Sequence, residues 1–322
     1  MKKKFVLWLI LLMLLSVTGC TNETADIKTP EAVQQPESVE EEEEAVKVLV
    51  YYGNAAADGF EQKEVEIKGL TPKNLISELA KVNPNLVVVN LSGNAVAMPW
   101  IKDVPAVVQG WFIGSEAGNA ITDVLSGDVN PSGKLPFTFP MSLADVGAHA
   151  AGEYPGNKAE LDASKEWGDT IREYYNDDIF VGYRWADKEK TTPLFPFGHG
   201  LSYTTFEYGK PTADKKTMTA DGTITVSVNV KNTGNREGSE IVQLYIADKK
   251  SSLPRPVKEL KGFRKVKLAP GEEKTVSFTV DKTALSFFDD KKHQWVAEPG
   301  KFEAIVGASS RDIKGTVPFE LK

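Results

Sequence analysis

The hydrophobic period of this chain changes once along its length, and that change fixes most of what it can fold into. Val46–Tyr52 (VKVLVYY) and Leu86–Leu91 (LVVVNL) are short runs rich in Val and Leu, bounded by Gly or Asn. Between them Leu75, Ile76, Leu79 and Val82 recur at helical spacing. Strand, helix, strand makes a parallel crossover unit. A further strand over Ala106–Phe112, then Gly114-Ser115-Glu116-Ala117-Gly118 and a helix through Leu125, extend this into an α/β layer with a parallel sheet. From Thr223 the period becomes two: TITVSVNVKN, SEIVQLYIAD, KTVSFTV and KFEAIVGA alternate apolar and polar residues. Thr233-Gly234-Asn235, Pro270-Gly271 and Pro299-Gly300 separate them, which predicts an antiparallel β-sandwich. Two domains of ordinary size fit a chain of 322 residues.

Ahead of both domains the composition is different. Lys2-Lys3-Lys4 followed by Phe5–Leu15 (FVLWLILLMLL) has the charged and apolar regions of a secretory signal. The apolar run is shorter than the roughly 20 residues a spanning helix needs. It ends at Val17-Thr18-Gly19-Cys20, which looks like a bacterial lipoprotein signal with Cys20 as the lipid-carrying residue. Residues 1–19 are therefore expected to be a signal peptide and the folded part to be held at the outer face of a membrane through lipidated Cys20. Residues 20–44, with nine acids against Lys28 alone, lack the apolar side chains that offset ordering entropy and read as an acidic tether.

The formal charge of −7 belongs mostly to that tether. No basic block exists beyond Lys2-Lys3-Lys4, so a nucleic-acid footprint is missing. Cys20 is the single cysteine, which excludes an internal disulfide framework and a cysteine-built zinc site. Gly114 and Gly118 lack the companions of a phosphate-binding loop and read as a tight turn. Three His and no spaced ligand cluster argue for neither a metal site nor a cofactor.

Past Asp128 the chain is rich in turn formers and aromatics: VNPSGKLPFTFP from Val129, YNDDIFVGYRW from Tyr175 and LFPFGHGLSYT from Leu194. Such loops wrap over a scaffold. The strings NPNLVVVNLSGNAVAMPW (from Asn83), GSEAGNAITDVLSGDVNPSGKLPFTFP (from Gly114), IFVGYR (from Ile179) and PLFPFGHGLSYTTFEY (from Pro193) closely resemble the second domain of family-three glycoside hydrolases of the β-glucosidase type. RPVKELKGFRKVKLAPGEEKTVSFTV, from Arg255, resembles the fibronectin-type-III-like domain that closes many of these enzymes. The likeness covers nearly all of residues 45–322. It implies a partial α/β sandwich over residues 45–209 and an all-β, immunoglobulin-like sandwich over residues 210–322, with no (β/α)8 barrel.

A retaining glycosidase needs two carboxyl groups about 5 Å apart. The resemblance implies a nucleophile Asp on a preceding barrel and an acid/base Glu on a loop of the α/β sandwich, in a Glu-Gly-x-Asp-Arg motif. Only 25 residues separate Cys20 from Val46, against about 250 for a barrel, so no nucleophile is assigned in this chain. The resemblance begins near the middle strands of the α/β sandwich, so its first strands are expected to be absent and backbone on one side of Val46–Tyr52 to be open to another chain. Asp58-Gly59-Phe60-Glu61-Gln62 aligns with the motif: Asp58 stands at the acid/base position, Glu61 at the Asp and Gln62 at the Arg. Asp58 is one methylene shorter than Glu, and the cation of the motif is gone.

Glu116 near a helix start suits the helix dipole. Asp177 and Asp178 are expected to cap a strand-like run, and His199 to be satisfied by loop backbone. Trp295 and Phe263 are expected in the core or between domains rather than exposed for sugar binding. Two functions compete. In one, the chain is half of a split β-glucosidase whose barrel comes from a separate polypeptide and whose substrates are β-glucosides or oligosaccharides. In the other, it is a non-catalytic surface lipoprotein that binds carbohydrate or scaffolds partners.

Overall fold

The computed structural model describes residues 48–52, 72–154 and 175–322. The first part is built on a parallel three-stranded sheet ordered β1 (Val48–Tyr52), β2 (Val87–Leu91), β3 (Ala106–Gln109). Helix α1 (Pro72–Val82) makes the crossover from β1 to β2. Proline suits its first turn, where no backbone donor is needed, and Asn83-Pro84 ends it. Its apolar stripe buries Ile76 against Leu86, Val88, Met98, Trp100 and Phe139. Strand β2 is buried on both faces over Val88–Leu91, as a central parallel strand should be.

β3 is shorter than the sequence predicts. It stops at Gln109 instead of running to Phe112: the Gly110 N–H makes the last ladder bond, to the Asn90 carbonyl at 2.8 Å, and the chain leaves the extended region at the next residue. A Cβ on Gly110 would lie 2.4 Å from the Leu91 side chain. Trp111 then enters the left-handed region (φ 55°), which brings its indole 5.0 Å from Phe137 and 5.8 Å from Phe139. Aromatic packing outweighs the backbone cost there. One 3-10 turn (Gly114–Glu116) leads into α2 (Ala117–Ser126), and Gly127 in the left-handed conformation (φ 78°) closes it. A short helix α3 (Gly147–Ala150) follows.

The run Ile179–Trp185, expected to be strand-like, is a turn that continues into helix α4 (Tyr183–Lys188). Gly182 at φ 61° and the left-handed Asp178 (φ 52°) set that turn. Aspartates 177 and 178 therefore sit within a turn and cap no strand.

The second part is a two-sheet sandwich. One sheet pairs β10 (Glu273–Val280), β7 (Ile224–Asn232) and β4 (Phe206–Tyr208), with β5 (Thr212–Ala213) also on β7. The other runs β6 (Thr217–Met218), β14 (Ile313–Leu321), β13 (Gly300–Gly307), β8 (Gly238–Asp248), β9 (Glu259–Leu268). After β10 come helix α5 (Lys282–Leu285) and a two-stranded ribbon of β11 (Phe287–Asp289) with β12 (Gln294–Val296). Inward residues of period two, among them Val226, Val228, Leu244, Phe278, Phe302 and Phe319, fill the core.

β8 departs from simple alternation. Val242, Leu244 and Ile246 face the sandwich core, yet Gln243, Tyr245 and Ala247 on the other face are buried as well. The loops that leave the α/β part lie across that outer face.

Gly200 belongs to this crossing: a Cβ there would stand 2.1 Å from the Gly133 carbonyl oxygen, so only glycine fits. Gly200→Ala should cost roughly 2–4 kcal/mol, because the clash is with backbone, which cannot swing aside as a side chain can. Gly300→Ala, whose Cβ would meet open space, should stay within about 0.5 kcal/mol. Urea denaturation midpoints of the two variants measure the difference, and equal midpoints would contradict it.

Candidate functional site

Asp58, Glu61 and Gln62 lie outside the described residues, as does Cys20. What is described is the carboxyl end of the parallel sheet. In a parallel sheet all strand ends point the same way, and ligands gather at the carboxyl ends. Here those ends carry a polar cluster. Asn90 Nδ2 donates to Gln109 Oε1 at 2.6 Å and to Ser92 Oγ at 3.0 Å, and Gln109 Nε2 donates to Ser92 Oγ at 3.1 Å. This ties β2 to β3 at the carboxyl end of the sheet. Asn90 Oδ1 is buried there without a hydrogen-bond partner.

Glu116 stands exposed at the N-cap position of α2 without a side-chain capping bond, and its carboxylate accepts from the Asn119 side-chain amide at 2.6 Å. His199 is held by its backbone: its N–H donates to the Pro196 carbonyl at 3.0 Å, and its carbonyl accepts from Leu135 at 2.8 Å. The imidazole stacks on Phe195 at 5.2 Å. Burial lowers the His199 pKa, Lys134 lowers it further, and Asp312 opposes both. Among the described residues no group of three or more His, Cys, Asp or Glu is placed to hold a metal.

Phe263 and Trp295 are not where the sequence reading put them. Phe263 is 61 % exposed and Trp295 68 % exposed. On β9, Gly262 and Arg264 turn toward the Phe278 ring, so Phe263 between them faces out. Trp295 is out of phase with its ribbon neighbour Val296, whose cross-strand partner Phe287 lies beneath the Arg255 guanidinium.

The residues that sequence reasoning missed form the seam between the two parts. The strings from Val129 and from Leu194 zip together: Gly198 donates to the Leu135 carbonyl at 2.8 Å, and Phe139 pairs with Phe195. The zipped pair is then fastened to the sandwich. Lys134 Nζ reaches the Gly200 carbonyl at 3.0 Å and Glu240 at 3.3 Å, Gln243 Nε2 donates to the Gly198 carbonyl at 3.1 Å, and Asn130 donates to the Glu237 carbonyl at 2.9 Å. Tyr183 packs 4.9 Å from Phe197 and 6.0 Å from Tyr245. Burial and the adjacent Glu240 carboxylate push the Tyr208 phenol far above its ordinary value, so it stays a donor to Glu240 at 2.7 Å.

Charge pairs lock α4 in place. Asp187 pairs with Lys258 and, at 3.2 Å, with Arg311. Arg184 reaches Glu259 at 3.3 Å, and Arg255 bridges Glu259 at 2.6 Å and Asp248 at 3.0 Å. Burial would raise the Glu259 pKa, but Arg255, Lys261 and Arg184 together hold it below the ordinary range. A sequence signal for this seam existed in the near-continuous QLYIA of β8, which is too apolar for a strand with one wet face.

A parallel α/β layer sewn by hydrogen-bonded loops onto an immunoglobulin-like sandwich defines a class of two-part module, and the comparisons place it. The model of the glycosyl hydrolase family 3 C-terminal domain matches residues 16–203, and that of the fibronectin type III-like domain matches residues 240–310. The chain belongs to glycoside hydrolase family 3. It is 59 % identical over 248 residues to β-glucosidase BoGH3A of Bacteroides ovatus, which covers 76 % of this chain and 32 % of that protein. It is 46 % identical over 260 residues to thermostable β-glucosidase B of Acetivibrio thermocellus, covering 80 % and 32 %. The crystal structure of the Kluyveromyces marxianus β-glucosidase in complex with glucose matches with a TM-score of 0.67 at 44 % identity, over 78 % of this chain and 28 % of that one. β-Glucosidase 3B of Thermotoga neapolitana, in complex with α-D-glucose, matches with a TM-score of 0.71 at 34 % identity, over 85 % and 37 %. The chain thus spans about a third of the length of these relatives, and no barrel occurs among the described residues.

Asp187→Ala should cost about 3–5 kcal/mol, since it strands Lys258 in a buried site. Asp187→Ala combined with Lys258→Met should recover most of that loss, as measured by chemical denaturation of the single and double variants.

The lowered His199 pKa carries a pH signature. The unfolded histidine binds its proton near pH 6.5 and the folded one only at lower pH, so stability falls as pH drops from about 6.5 through the folded pKa. Histidine ring NMR should show a titration midpoint below 6.5, moving lower still in Asp312→Asn. A midpoint unmoved by that change would break the assignment.

Proposed function

We propose that this chain is the non-barrel part of a β-glucosidase-type glycoside hydrolase that hydrolyses terminal β-glucosidic bonds only when joined by a (β/α)8 barrel from a separate polypeptide. The observation that carries this reading is the seam. The loops of the α/β part and the sandwich are fastened by buried, mutually satisfied hydrogen bonds and ion pairs, as a module serving a larger enzyme requires. Kinship with β-glucosidases across most of the chain supplies the substrate class.

In this assembly the barrel contributes the nucleophilic Asp, which attacks the anomeric carbon. Asp58 protonates the leaving glycosidic oxygen and then takes a proton from the water that releases the glycosyl-enzyme. A carboxyl one methylene shorter than Glu must be brought closer to the bond by its loop. The barrel would also cover the exposed edge of β1, which pairs only with β2 among the described residues. Lipidated Cys20 would hold the assembly at the outer face of a membrane, with residues 20–44 as an acidic spacer.

The purified chain alone should give no measurable turnover of an aryl β-glucoside. Co-expression with a barrel protein encoded beside it should yield a complex that hydrolyses the glucoside, and Asp58→Asn should slow that complex by about 100-fold or more. No complex and no turnover would sink the reading in favour of a non-catalytic surface lipoprotein. Robust turnover by the chain alone, abolished by Asp58→Ala, would remove the partner requirement.

A further inference from the structure

We propose that the ribbon of β11 and β12 is a carbohydrate-binding platform on which Trp295 and Phe288 hold a glucopyranose unit of a β-linked gluco-oligosaccharide. The choice of sugar rests on the β-glucoside reading above; the platform itself rests on the ribbon. Phe288 and Trp295 are direct cross-strand partners, so both rings rise from the same face. Their centroids are 5.7 Å apart with planes at 69°, which makes a corner rather than a flat sandwich. Phe288 is 49 % exposed and Trp295 68 % exposed, an unusual state for two large rings already touching.

The ribbon is rigid before any ligand arrives. Buried Asp289 accepts from the backbone N–H groups of Lys291 and Lys292 at 3.1 Å each and pairs with Lys292 Nζ at 2.8 Å. His293 completes the turn in the left-handed region (φ 51°). Beneath, Phe287 is clamped by Arg255, whose guanidinium also donates to the Leu285 carbonyl at 2.9 Å. Ser252 donates from its backbone N–H to Glu298 at 2.9 Å and so ties the strand after the ribbon to the sandwich. A platform fixed in this way loses little entropy on binding.

The chemistry of the surround selects the occupant. The apolar surface consists of two rings, roughly 150–250 Å² each when fully covered. A stable protein partner needs about 800 Å² per side around an apolar centre. The neighbouring sequence Asp289-Asp290-Lys291-Lys292-His293-Gln294 is polar throughout, so the apolar area does not grow beyond the corner. A β-glucopyranose has matching dimensions. Its axial C–H bonds present a weakly positive face to the negative face of an aromatic ring, and its equatorial hydroxyls point outward to polar side chains. The exposed turn of residues 290–293 beside the corner carries such polar groups.

The test is calorimetric titration of the purified full chain with cellohexaose and laminarihexaose, with maltohexaose for comparison. Saturable binding of a β-linked hexaose is expected, and Trp295→Ala and Phe288→Ala should each weaken it by about tenfold or more. Trp295→Phe should retain part of the affinity, and Phe263→Ala, which removes an exposed ring elsewhere, should leave it unchanged. If Trp295→Ala fails to fold by circular dichroism, Phe288→Ala and Trp295→Phe give the same reading. Absence of saturable binding, or equal affinity in the ring variants, overturns the proposal. So does a Trp295→Ala variant whose only effect is a change of oligomeric state in sedimentation. Binding retained while the barrel complex shows no turnover would overturn the hydrolase reading alone; turnover without binding by the chain would overturn only the platform.

Discussion

The double burial of strand β8 is the constraint on which the rest of the molecule depends. Its inner face belongs to the sandwich core, and its outer face offers Gln243, Tyr245 and Ala247 to the loops of the α/β part. Gln243 satisfies two carbonyls at once, Gly198 at 3.1 Å and Ala308 at 2.8 Å, and accepts from the Tyr245 hydroxyl. A buried amide with all partners present orients what surrounds it; with one partner missing it would cost about 1–3 kcal/mol. The loop containing Gly198, His199 and Gly200 is therefore placed by the second domain as well as by its own.

The ion pairs act on the same boundary by a different route. Asp187, Glu240 and Glu259 are all buried or nearly so, and each meets a cation across or along the seam. Such pairs add little net stability compared with apolar packing, because desolvation offsets most of the attraction. They do fix geometry, since an unpaired buried charge is far worse than a paired one. Helix α4 and the aromatic turn before it are thereby held in a single position, with Lys188 over the Phe180 ring at 4.5 Å. The family motifs that make this chain recognisable are largely the residues of that seam.

How much of this could be read from the sequence varied with the physics involved. Period-3.6 and period-two patterns located α1, β7 and β13, because side-chain direction follows directly from backbone geometry, and an unbroken apolar run located β2. The end of β3 was not legible, since it depends on Gly110 and Trp111 meeting Leu91, Phe137 and Phe139, all remote in sequence. The run Ile179–Trp185 looked like a strand because it is apolar and aromatic. It becomes a turn and helix because Tyr183 and Arg184 are drawn to Leu260 and Glu259 of the sandwich. Trp295 and Phe263 looked like core residues on hydrophobicity alone, yet phase along each strand turned them outward.

By itself, the sequence determined the two-domain order, the parallel and antiparallel character of the sheets, and the family, because these follow from local periodicity and from long motif strings. The proposal of Asp58 for the family's acid/base position rests on alignment with a motif and not on geometry. Only the tertiary structure decided which polar residues are buried and which aromatics are free. Burial of Gln243, Asp187 and Glu240 requires a second surface to arrive and supply partners, and exposure of Trp295 and Phe288 requires that none does. Both are properties of two surfaces meeting or failing to meet, which no single stretch of chain contains.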